Sequence, residues 1–178
     1  MTLNELRIDF EESTNKSVSM PIAGAIVWTI VAILSTYYKE SISVYILLFA
    51  SGLIFPIALL IAKFRRENLI SSSNPLAKLM GLCVLMVNLL WGIHIPLVMY
   101  APQFVPLSLG IGLGIHWIVY SWIIQHPLGI IHSILRTFLV VLAWFIIPES
   151  RICGIGVAIV IVYLLSIYQM LNRKIIYK

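Results

Sequence analysis

Between residues 68 and 148 the chain carries two formal charges, Lys78 and Arg136, and no Asp or Glu. Soluble domains spread charge over about a quarter of their positions, so a stretch this long without it belongs against hydrocarbon. The whole chain agrees: 11% of residues are charged, 61% are hydrophobic, and the mean hydropathy is +1.01. Crossing a bilayer takes about 20 apolar residues. The 178 residues therefore hold about six spans and almost no extramembrane domain.

Apolar runs fall at 18–38, 42–62, 77–100, 104–124, 128–147 and 152–171. The expected fold is all-α, a polytopic transmembrane helical bundle of about six spans over 18–171. Residues 1–17 form an N-terminal segment in which Leu3, Leu6 and Phe10 recur at helical spacing among Glu5, Arg7, Asp9, Glu11, Glu12 and Lys16. Its acidic start is unlike the basic start of a secretory signal. Residues 172–178 form a short basic tail.

Basic residues in short loops mark the cytoplasmic side. With the N-terminus inside, that side holds Arg7, Lys16, Lys63, Arg65, Arg66, Lys78, Arg173, Lys174 and Lys178, whereas the outside holds only Lys39 and Arg151. Both termini are expected to be cytoplasmic. The net charge of +5 thus reports topology rather than a nucleic-acid partner. Two cysteines, Cys83 and Cys153, fall near opposite ends of the spans and make no disulfide framework.

The connections at 101–103 and 125–127 are too short to join any but adjacent antiparallel helices. The residues of 63–78, with Ser71-Ser72-Ser73 and Asn74-Pro75, form the one substantial loop. Gly52 with Pro56, and Gly92 with Pro96, place proline four residues after a glycine and predict kinked helices. Gly110 and Gly114 form a G-x-x-x-G face for close helix approach, within the bundle or against a second copy or another membrane protein. No strand precedes Gly110, Gly112 and Gly114, so they do not read as a nucleotide loop, and no cofactor is expected.

At 1.5 Å rise per residue, His116 and Arg136 lie equally far from the turn at His126, near mid-depth on neighbouring helices. Asn88 and Tyr163 fall in the same layer, with His132 one turn from Arg136. A charge at the bilayer centre is unfavourable by at least roughly 2.5–3.5 kcal/mol, and no carboxylate is available there. Arg136, His116, Asn88, His132 and Tyr163 are the expected ligand-binding residues, with an anion completing the site. Two other readings stand beside it: Arg136 reaching a lipid headgroup at the interface, and a purely internal hydrogen-bond network.

His94, His116, His126 and His132 lack metal-ligand spacing and have no intramembrane carboxylate, so no metal site is expected. No catalytic signature is present either: Ser51 and Ser121 lack a nucleophile-elbow setting.

The segments Glu5-Leu6-Arg7, Ser51-Gly52-Leu53-Ile54-Phe55-Pro56-Ile57-Ala58-Leu59, Asn74-Pro75-Leu76 and Gly114-Ile115-His116 resemble a family of small, uncharacterised bacterial multi-spanning membrane proteins. The resemblance covers most of the chain. It implies a bacterial cytoplasmic membrane location and assigns no activity, cofactor or functional residue.

The function expected from the residues is binding of a lipid-like or anionic small molecule in a midplane pocket, for transport or sensing. Membrane lipids are the expected surroundings. Two rivals remain. One is a membrane-embedded enzyme on a lipid substrate with a neutral histidine; the other is an accessory subunit docked through Gly110 and Gly114.

Overall fold

The computed structural model describes residues 1–14, 17–69 and 73–173. Lys16, Ser71, Ser72, Lys174 and Lys178, which entered the sequence reading above, lie outside the described residues. Those described form helices and turns, with no strand among them.

The helices are α1 (Leu3–Thr14), α2 (Ser19–Leu34), α3 (Glu40–Gly52), α4 (Ile54–Arg65), α5 (Pro75–Leu89), α6 (Trp91–Tyr100), α7 (Val105–Ile115), α8 (Trp117–Ile124), α9 (Leu128–Ile146) and α10 (Arg151–Asn172). Four segments are long and apolar enough to cross a membrane: Pro75–Tyr100, Pro102–Ile124, Leu128–Ile146 and Pro148–Asn172. Up to six cross if the pairs α1–α2 and α3–α4, bent by 55° and 43°, each count as one span.

Breaks follow identifiable causes. Between α3 and α4 the chain turns at Leu53, beside Gly52 and three residues before Pro56. Between α5 and α6 it steps at Leu90, ahead of Gly92 and Pro96. The third break, at His116 between α7 and α8, has no proline. There, side chains of α9 draw on α7 carbonyls: Arg136 donates to the Gly110 oxygen at 2.6 Å, and Ser133 donates to the Gly114 oxygen at 2.9 Å. Polar side chains inserted into a helix ladder are a known source of bends.

The core lies where α2 and α10 cross, with α9 and α7 beside them. Small residues permit this approach. A Cβ on Gly156 would lie 2.8 Å from the Ala32 methyl, and one on Gly24 would lie 2.5 Å from the Tyr163 ring. On α9 the usual soluble pattern is reversed. His132, Ser133 and Arg136 are buried, whereas Ile130, Ile134, Phe138, Leu142 and Phe145 are exposed. Exposed apolar ridges with a polar interior suit a lipid solvent.

Gly110 and Gly114 are filled within the chain. A Cβ on Gly110 would meet Val140 at 3.0 Å and Ile155 at 3.4 Å; on Gly114 it would meet the Arg136 side chain at 2.7 Å. The face considered above for a second copy or partner is therefore already occupied by α9 and α10.

The first helix, α1, and the end of α10 lie at one end of the bundle. Glu11 of α1 accepts from buried Arg173 just after α10, Asn74 donates to the Leu6 carbonyl and to Asp9, and Arg7 donates to the Trp122 carbonyl at 3.3 Å while lying over its ring. Glu67 tethers the start of α2, accepting from the hydroxyls of Ser17 and Ser19, the Ser19 backbone N–H and Arg65. Burial works to raise the Glu67 carboxyl, but these donors outweigh it and hold the pKa below the ordinary value. A carboxylate over a helix N-terminus also complements the helix dipole.

Candidate functional site

Arg136 is 0% exposed. Its Nη1 and Nη2 have no hydrogen-bond partner, and none of the ion pairs among the described residues includes it. The guanidinium instead lies against two ring faces, 5.1 Å from the Tyr163 centroid and 5.8 Å from that of Trp28. Cation–π contacts of this kind are worth roughly 0.5–2 kcal/mol and leave most of the group's donors unused. The group neither points at lipid nor reaches an end of the bundle, so the interfacial headgroup reading of this side chain does not hold.

Packing between α7–α8 and α9 differs slightly from equal spacing about His126. Arg136 sits against Gly114, two residues from His116. One position along, the Trp117 ring stacks on His132 at 4.1 Å with planes 12° apart. His132 is buried, its Nδ1 is 2.8 Å from the Ser166 hydroxyl, and its Nε2 has no partner. Its ring also lies 5.3 Å from that of Tyr163.

Two adjoining cavities lie on the other side of this aromatic layer. The larger, about 380 Å³, runs from Thr14, Ser17, Asn68 and Lys78 to His116 and Trp117. The smaller, about 80 Å³, is bounded by Ser51, Asn88, His116 and Tyr163. Met20, Phe55, Val84, His116 and Trp117 line both. His116 thus stands at their junction, and its Nδ1 is buried without a partner.

The expected residues therefore divide. His116, Asn88 and Tyr163 line the cavity, Asn88 from the exposed side of α5. Arg136 and His132 line neither cavity; they sit behind the wall formed by Trp117 and Tyr163. Trp28 and Trp117 are not among the expected site residues, although Trp117 adjoins His116, and neither are Ser133 and Ser166. The last two had a signal: short polar side chains inside apolar spans, which bond to helix carbonyls or to each other's neighbours. Among the described residues no three His, Cys, Asp or Glu side chains converge as metal ligands would.

A family model matches residues 3–173. The chain belongs to the family of unknown function DUF7010. The match takes in every helix described above. No curated protein and no solved structure matches the chain. For this DUF7010 member, chemistry must be read from its own side chains.

Proposed function

We propose that the chain is a six-span protein of a bacterial cytoplasmic membrane, with both termini cytoplasmic, that binds a lipid-like or anionic small molecule at mid-depth for transport or sensing. The six crossings are α2, the bent α3–α4 pair taken as one, and the four long segments. The orientation rests on the concentration of Lys and Arg in the loops on the side of α1 and the end of α10.

One observation carries the ligand class: the guanidinium of Arg136 is fully buried, with two nitrogens unpartnered and no carboxylate paired to it. An uncompensated charge in low dielectric is unfavourable and leaves a positive potential one ring away from the cavity. An anion beside His116 and Tyr163 offsets that potential. The largely apolar lining, with Met20, Phe55 and Val84 common to both cavities, suits a ligand with a hydrophobic body.

The test is native mass spectrometry and thermal unfolding in nanodiscs containing anionic lipid, comparing wild type with Arg136→Lys and Arg136→Leu. Wild type should carry an anionic species that the Leu variant loses and the Lys variant partly keeps. A ligand at about 100 times its Kd contributes about 2.7 kcal/mol of stability, and the Leu variant should lose that increment. Retention of the same species at the same occupancy by Arg136→Leu would overturn the reading.

A further inference from the structure

We propose that the larger cavity is the access route to His116 from the end of the bundle holding α1 and the end of α10, with α1 as its lid and Lys78 selecting anions at its mouth. The inference rests on the ligand site proposed above and adds how that site is reached.

Three observations support it. First, Phe10 and Thr14 of α1 are part of the cavity wall, so moving α1 aside opens the cavity. Second, α1 belongs to the bundle through a few side-chain ties. Its mean composition is polar, Phe10 anchors it to a small apolar cluster with Leu76, Ile123 and Ile124, and the buried Glu11–Arg173 ion pair holds it to the end of α10. A charge pair with both partners buried is stable closed and strongly destabilised when one partner is removed, which is the behaviour of a latch.

Third, among the described residues Lys78 is the one charged side chain lining the cavity. It is exposed and has no ion pair among the described residues. It also lies in the first turn of α5, where the helix dipole adds to its positive potential instead of offsetting it. A mouth whose described lining holds a cation and no carboxylate, leading towards the buried charge of Arg136, favours anions along its length.

The test uses no ligand. In a Cys83→Ala/Cys153→Ala background reconstituted in nanodiscs, Val84→Cys, which lines both cavities, is labelled with an anionic and with a cationic water-soluble thiosulfonate. Glu11→Gln should speed labelling by both reagents by roughly tenfold, about the effect of one lost favourable contact. The swap of Glu11→Arg with Arg173→Glu should restore slow labelling. Lys78→Gln should slow the anionic reagent by roughly tenfold and spare the cationic one. Thr14→Trp, at a half-exposed position of the mouth, should slow both.

If Glu11→Gln fails to fold, Thr14→Trp and Lys78→Gln still decide. Unchanged labelling in both would place the route elsewhere and overturn the proposal. Labelling that is unaffected by Glu11→Gln in a folded protein would reduce the ion pair to a structural tie and overturn the lid. The Arg136 experiment is independent of these rates, so a failed route and a failed ligand site give different results.

Discussion

The Nε of Arg136 donates to the Gly110 carbonyl at 2.6 Å, across a helix face that has no Cβ at either Gly110 or Gly114. The arginine side chain lies in the trough those glycines leave, its Cδ 2.7 Å from where a Gly114 Cβ would be. A buried charge is thus held in place by the absence of side chains on the neighbouring helix.

The glycines should therefore differ sharply in their tolerance of alanine. A Cβ on Gly129 would lie 1.9 Å from the Trp117 carbonyl oxygen, a backbone atom that cannot swing away. Gly129→Ala should be destabilised by about 3 kcal/mol or more, at the upper end of overpacking effects. Gly114→Ala meets a flexible side chain and should lose about 1–2 kcal/mol. Gly81→Ala, with nothing within 4 Å, should gain up to about 1 kcal/mol of helix propensity. Thermal unfolding of the three variants in one detergent checks the order.

Glu11 and Arg173 are paired with side chains 1% and 4% exposed. Glu11→Gln leaves Arg173 buried without its counter-charge and should destabilise the protein by about 3–5 kcal/mol. The charge-swapped double variant should recover part of that loss. A double-mutant cycle on unfolding midpoints measures the coupling; additive single effects would deny it.

Two groups outside the spans contribute to the response to acid. The Glu67 carboxyl is held low by Ser17, Ser19 and Arg65 against the opposing effect of burial. His126 is lowered first by burial and next by Arg173, with Glu11 opposing. A carboxyl with a depressed folded pKa stabilises above its unfolded value and loses that contribution as pH falls through the folded one. A histidine with a depressed folded pKa binds fewer protons folded than unfolded, so it too loses stability as pH falls below its ordinary value of about 6.5. Stability should decline on acidification, with His126→Gln lessening the loss below about pH 6.5 and Glu67→Gln lessening the further loss at lower pH. Unfolding midpoints between about pH 7 and pH 3 test both.

Trp117 separates the cavity from His132, with its ring stacked 4.1 Å away. Trp117→Ala should be destabilised by about 3–5 kcal/mol and should open His132 to the cavity. Unfolding measurements give the first effect. A His132→Cys probe, unreactive with Trp117 present and labelled once it is removed, gives the second.

Much of this architecture was legible because its causes are local. The apolar runs predicted helices over residues that form them, and proline and glycine marked the breaks near Leu53 and Leu90. The short connections put α7–α8 against α9, as found. The break at His116 was not legible, since it accompanies side chains arriving from α9. For the same reason the layer around Arg136 was only half readable. Residue counting brought Arg136 and His116 to one depth, but the packed register set Arg136 against Gly114 and put His132 behind Trp117.

The sequence alone determined that this chain is a helical protein with apolar spans, because hydropathy and helix periodicity depend on which residues follow one another. It also determined that one arginine lacks an acidic partner nearby in the chain. Only the tertiary structure decided which rings separate that arginine from a cavity and which carbonyl accepts its hydrogen bond. Those outcomes depend on helix rotation and on shifts of one or two residues between neighbours, set by glycine troughs and ring stacking, and no single segment encodes them.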